Sequence, residues 1–103
     1  MLPSVEAALK PSERYKKFGE PGHVMVGSFD GDNTAYQMLM EGYLDADGVQ
    51  DLPLEAVKSV EAIQDLRSGK TVPQFIYDNG FMVTQENLKE TGPKMWGAKF
   101  KQP

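Results

Sequence analysis

The sequence contains no cysteine, which excludes disulfides, thiolate metal sites and cysteine nucleophiles and leaves the redox compartment open. Histidine is nearly as scarce. His23 stands alone, so sites built from several imidazoles are out. A serine–histidine hydrolase would have to rest on this one residue, at the start of an apolar run, and a catalytic histidine needs a positioned partner. Basic charge is in deficit: 11 Lys and Arg against 15 Asp and Glu give a net charge of −4 and a pI near 4.9. Nucleic acid, whose phosphates need a basic surface, is not an expected partner. No apolar run approaches the roughly 20 residues of a membrane span. Met1-Leu2-Pro3-Ser4 does not open the basic-then-apolar pattern of a signal peptide.

What remains is an ordinary globular composition, 40% hydrophobic and 25% charged over 103 residues, enough for one domain with a modest core. Leu2, Val5, Ala8 and Leu9 share one helix face over residues 2–10. Pro3 suits the first turn and Pro11 the end, and Ser12 is placed to cap a short helical piece to Lys17. Gly19-Glu20-Pro21-Gly22 reads as a loop. Val24 to Phe29 is nearly continuous apolar, as in a strand covered on both faces of a parallel sheet. A helix follows over roughly residues 34–42, apolar almost all round, then a weaker strand from Leu44 to Gln50. Asp51-Leu52-Pro53 starts the clearest helix, which ends near Ser68-Gly69. Ala56, Val57, Val60, Ile63 and Leu66 share one side of it, the pattern of a helix laid on a sheet.

Val72–Tyr77 and Phe81–Thr84 read as strands around Asp78-Asn79-Gly80, which local rules make a hairpin with a primed turn. The alternation predicts an α/β layer with a partial parallel sheet, a Rossmann-like lobe joined by right-handed crossovers. Residues 1–90 form that lobe and residues 91–103 a polar tail around the lone Trp96. The chain opens on a helix with no strand before it, as a piece of a longer protein does.

The stretch between the first strand and its helix carries the chemistry: Phe29-Asp30-Gly31-Asp32-Asn33. In open α/β sheets, ligands bind at the carboxyl ends of strands. Three uses of this acidic turn are open. Asp30-Gly31-Asp32-Asn33-Thr34 resembles the opening motif of haloacid-dehalogenase-like phosphatases, where the first Asp is a nucleophile and Mg²⁺ offsets the phosphate charge. Lys70 is available for such an enzyme, but no second acidic turn follows. Oxygen-bearing side chains at alternate positions, Asp30, Asp32 and Thr34 or Asp45, Asp47 and Asp51, offer ligands to calcium. They lack the glycine and the distal glutamate of a calcium loop. Third, Asp30 can accept hydrogen bonds from sugar hydroxyls, with Gln50 at the next strand end both donating and accepting. Asp32 and Asn33 stand beside Asp30 as secondary sugar contacts or as caps of the following helix. The plainer alternative leaves Asp30 closing a turn and Gln50 facing solvent.

Several strings in order resemble the C-terminal part of periplasmic sugar-binding proteins of ABC transporters. They are Val26-Gly27-Ser28-Phe29-Asp30-Gly31, Glu41-Gly42-Tyr43-Leu44-Asp45-Ala46, Gly48-Val49-Gln50-Asp51 and Glu55-Ala56-Val57. Gly69-Lys70-Thr71-Val72-Pro73 and Val83-Thr84-Gln85-Glu86-Asn87-Leu88 complete the set. The resemblance covers roughly residues 1–90. It implies one lobe of a two-lobe, non-catalytic receptor, with Asp30 and Gln50 on one wall of a carbohydrate cleft. It also implies a membrane permease as partner of the intact protein, a periplasmic or extracellular location, and no cofactor or metal. Val72 to Thr84 resembles the last interlobe crossing, a single extended strand, which argues against the hairpin.

Members of that family are much longer chains, so the other lobe lies outside this sequence and self-association of the piece is expected. Asp47-Gly48 stands in place of a more strand-like pair, and the tail from Lys94 to Ala98 is outside the general pattern. Effector domains of lactose-repressor-like regulators share the architecture and are the alternative reading. Gly69-Lys70-Thr71-Val72-Pro73 and Val83-Thr84-Gln85-Glu86-Asn87 favour the transport receptor.

Overall fold

Pro3 sits in the first turn of the first helix, α1 (Leu2–Leu9), as a residue that lacks a backbone donor should. The structure, a computed structural model, describes residues 1–100. The short helix expected from Ser12 to Lys17 does not form. Ser12 Oγ turns back to donate to the Leu9 carbonyl at 3.0 Å, and Glu13 adopts φ +57°, which breaks a right-handed helix.

Strand β1 (Gly27–Asp30) is shorter than the apolar run that announced it. Upstream, one side chain takes a place in the ladder: Val26 N–H donates to Asp45 Oδ2 at 2.8 Å, while Asp45 N–H still donates to the Val26 carbonyl at 2.9 Å. Helix α2 (Asn33–Glu41) starts where Asp32 accepts from Ala35 N–H at 2.8 Å and stops at Gly42, φ +87°. Gly42 N–H reaches the carbonyls of Leu39 and Met38, closing the last turn. Strand β2 (Ala46–Val49) then lies parallel to β1, with Asp30 opposite Val49. It too is shorter than the expected Leu44–Gln50.

From here the chain departs from the parallel plan. Helix α3 (Leu52–Arg67) is capped by Asp51, as its sequence predicts, but it does not lie on the sheet. Val57, Val60, Ile63 and Leu66 are 53%, 55%, 57% and 62% exposed. Residues 71–80 contain no strand, so neither the hairpin at Asn79-Gly80 nor a single extended strand from Val72 to Thr84 is present. Pairing resumes at β3 (Phe81–Thr84), antiparallel to β2 with Phe81 opposite Val49. The reason is where the chain re-enters. It leaves the sheet after Val49 and returns beside Val49, so β3 can only run the opposite way. The sheet is therefore mixed, in the order β1-β2-β3, and the molecule is drawn out to 60 × 27 × 26 Å.

The core lies on one face of the sheet. Ala35, Met38 and Leu39 of α2 pack with Leu44, Val49 and Val83. The segment read as a polar tail also folds onto this core, through α4 (Leu88–Thr91), a 3₁₀ turn at Gly92–Lys94 and α5 (Trp96–Lys99). Met95 in its middle is fully buried. Lys101, Gln102 and Pro103, the end of the predicted tail, lie outside the described residues. On the opposite face Phe29 and Met82, in register through Gly48, are exposed. A strand alternates its side chains between faces, so this sheet has one covered and one open side.

Candidate functional site

Asp30 closes β1 in a conformation that L-residues avoid. Its φ is +106°, a region that costs on the order of 1–3 kcal/mol for a residue with a side chain. Gly31 follows at φ +77°, and there glycine is required: a Cβ would stand 2.5 Å from Val49 Cγ1. Two left-handed residues in succession turn the chain sharply out of the sheet, leaving Asp30 exposed at the carboxyl end of its strand.

The other candidates are brought together only in part. Asp32 is committed as the cap of α2. Asn33 is buried, with Nδ2 donating to the Gly97 carbonyl at 2.9 Å. Gln50 is exposed one residue beyond β2. Because Asp30 pairs with Val49, Gln50 directly follows the end of the strand next to that of Asp30, on the same sheet edge, as the sequence led one to expect. The two residues line different hollows, however. Asp30 shares one of about 190 Å³ with Ser28, Val26, Leu2 and Val5, and Gln50 one of about 420 Å³ with Asp78, Gly80 and Phe81.

Sequence reasoning missed the most unusual acid in the molecule. Asp47, taken as a weak strand residue or a calcium ligand, is completely buried on the covered face of β2. Its Oδ1 accepts from Ser28 Oγ at 2.5 Å, and its Oδ2 has no hydrogen-bond partner among the described residues. Burial pushes its carboxyl above the ordinary range, opposed by Ser28 and the Gly31 N–H and reinforced by Asp32 and Asp30. Period-two alternation offered a signal, since Asp47 shares a face with Val49 and not with Gly48.

The acids that the sequence offered to calcium are sent to separate tasks. Asp45 binds His23 Nε2 at 2.8 Å, while His23 Nδ1 meets the Lys16 carbonyl at 2.7 Å. With acceptors on both ring nitrogens, the Lys16 carbonyl first and Asp45 next, the imidazole is held above its ordinary pKa. Asp51 caps α3. Among the described residues no three His, Cys, Asp or Glu side chains are grouped to hold a metal ion. Lys70, the lysine a phosphatase would need, sits beyond the end of α3 and pairs with Asp65 at 3.4 Å.

Trp96 is the other residue whose place was not foreseen. Its indole Nε1–H donates to the Asp30 carbonyl, so the tail grips the acidic turn directly. A lone tryptophan in a segment read as a polar tail gave no sign of this contact. Compared with protein-family models the chain matches none, and a search of curated proteins finds no match to it.

Proposed function

We propose that this chain is part of one lobe of a two-lobe sugar-binding receptor serving an ABC transporter, with Asp30 and Gln50 on one wall of the cleft. The observation that carries this reading is the excursion between β2 and β3. The chain leaves the sheet at Gln50, forms a sixteen-residue helix with an uncovered apolar stripe, and returns at Gly80 to the place it left. A segment that crosses to a second body and comes back has this form, and the stripe is then the surface that docks there. On this reading the three-stranded sheet is the remnant of a Rossmann-like lobe.

Asp30 supports the same reading. A strained, exposed carboxylate at a strand end is a group presented outward. One Asp can accept from two sugar hydroxyls, and the Gln50 amide complements it. The protein acts by binding, not catalysis. In the intact receptor, sugar favours closure by touching both lobes, a permease reads the closed form, and the location is periplasmic or extracellular. The phosphatase reading is weakened by Asp32, whose carboxylate is spent on the α2 cap.

A panel of neutral monosaccharides titrated into the ¹⁵N-labelled chain tests this. With one wall only, affinity on the order of 1 mM or weaker is expected, with shifts centred on Gly31 and Gln50 and removed by Asp30→Asn. Shifts centred elsewhere, or Mg²⁺-dependent phosphate release abolished by Asp30→Asn, would overturn the proposal.

A further inference from the structure

We propose that Met95-Trp96-Gly97 is a positioning strap that sets the orientation of Asp30, with Trp96 acting on the carboxylate through the backbone and not by touching ligand. The proposal rests on the reading of Asp30 as a sugar-binding group. Two consecutive carbonyls of the turn are taken by consecutive residues of the strap. Trp96 Nε1–H donates to the Asp30 carbonyl at 2.5 Å, and Gly97 N–H donates to the Gly31 carbonyl at 2.9 Å. The Gly97 carbonyl in turn accepts from Asn33 Nδ2 at 2.9 Å. Neither the Asp30–Gly31 nor the Gly31–Asp32 peptide can rotate without losing one of these bonds.

The approach is also closed sterically. A Cβ on Gly97 would stand 2.2 Å from the Asp32 carbonyl carbon and 2.3 Å from its oxygen, so strap and turn touch backbone to backbone. Met95, wholly buried in the core, fixes the strap at its base. A residue at φ +106° keeps that conformation only where its surroundings over-determine it. On the exposed side of the turn, the strap is what does so. The tail thus belongs to the binding site, although none of its side chains is assigned to the ligand.

The test uses the full ¹⁵N,¹³C-labelled chain and needs no sugar for its first arm. In the native chain the Trp96 indole N–H should exchange at least about tenfold more slowly than a free indole. Trp96→Phe keeps an aromatic ring at the anchor and removes the donor. It should leave the sheet's resonances in place while the Asp30 H(N)–Hα coupling and Cα shift move away from left-handed values. Unprotected indole exchange in the native chain overturns the proposal even if the variant does not fold. So does a folded Trp96→Phe with a lowered melting temperature and unchanged Asp30 signature, the mark of a merely structural anchor. The second arm adds the monosaccharide panel. Sugar shifts equal in native and Trp96→Phe chains refute the strap and leave the sugar reading standing. A changed Asp30 signature with no sugar shifts in either chain does the reverse.

Discussion

The backbone N–H of Asp51 donates to Asp78 Oδ2 at 2.7 Å, between residues 27 positions apart in the chain. The same carboxylate accepts from Gly80 N–H at 2.7 Å through Oδ1, so one side chain ties the exit of the β2–β3 excursion to its return. These two donors, Gly80 first and Asp51 second, hold Asp78 below the usual carboxylate range. A depressed carboxyl stabilises the fold above its unfolded pKa and loses that contribution as pH falls through the folded value. Asp78→Ala should therefore free α3 relative to the sheet and flatten stability below the ordinary carboxyl range. ¹⁵N relaxation of α3 and acid melts report both effects. Unchanged α3 tumbling would show that the neck is held by other contacts.

Asp30→Gly should stabilise the chain while removing its candidate ligand group. Relief of the positive φ is worth about 1–3 kcal/mol, and the added freedom of glycine in the unfolded chain returns about 0.4–1 kcal/mol of that. A net gain near 1 kcal/mol in a denaturant melt is expected. A loss of stability would mean the Asp30 side chain holds the turn and is not simply presented by it.

Asp47→Asn probes the buried carboxyl. A carboxyl raised above its unfolded pKa favours the fold at low pH, and that advantage is lost as pH rises through the folded value. The native chain should thus lose stability from the ordinary carboxyl range upward. The amide variant keeps an acceptor for Ser28 without a buried charge, so it should be about 1 kcal/mol more stable at pH 7 with a flatter profile. Melts of both proteins across pH decide it, and parallel profiles would refute the assignment.

Helices α2 and α3 were legible because their signals are local. Asp32, Gly42 and Asp51 act within one turn of their own positions, and each does what its type and place predict. The direction of β3 was not legible, because it depends on where the chain re-enters the sheet, a relation between Val49 and Phe81 that no local pattern contains. Helix α3 shows a subtler failure. Its periodicity correctly announced an apolar face needing cover, but periodicity does not name the cover, and the nearest sheet was the wrong assumption. At the candidate site, the neighbouring strand-end positions of Asp30 and Gln50 were legible from strand order, but not that the two would line different hollows. Asp47 was hidden because an acid in a strand reads as surface, and the strap because a single buried Met95 is lost in polar sequence.

His23 and Asp45 should give the fold a second pH window. The imidazole, raised by the Lys16 carbonyl and then by Asp45, stabilises the fold fully below about 6.5, the ordinary histidine value, and loses this as pH rises through its higher folded value. Asp45→Asn should abolish the window. It should also loosen the approach to β1, because Asp45 Oδ2 accepts from Val26 N–H. Melts between pH 5 and 9, with amide exchange at Val26, measure both. A native profile flat across this range would exclude a charged His23.

The open surfaces of the chain should make it self-associate when it stands alone. Val57, Val60, Ile63 and Leu66 form one exposed stripe on α3, and Phe29 and Met82 leave the outer sheet face bare. Exposed apolar patches of this kind promote association, and β1 has a neighbour on one side only, an unpaired edge of the kind that recruits another strand. Light scattering should show mass rising with concentration. The double substitution Val60→Lys and Ile63→Glu should return the chain to a monomer without unfolding it, since neither side chain is buried. If the helix stripe is innocent and the outer sheet face with its strand edge responsible, the double variant will associate as before, while Phe29→Lys, at an exposed position on the edge strand, would change the mass. A native chain that stays monomeric at high concentration would refute both surfaces at once and imply that α3 is solvated as it stands, removing the main support for a second body against which it docks.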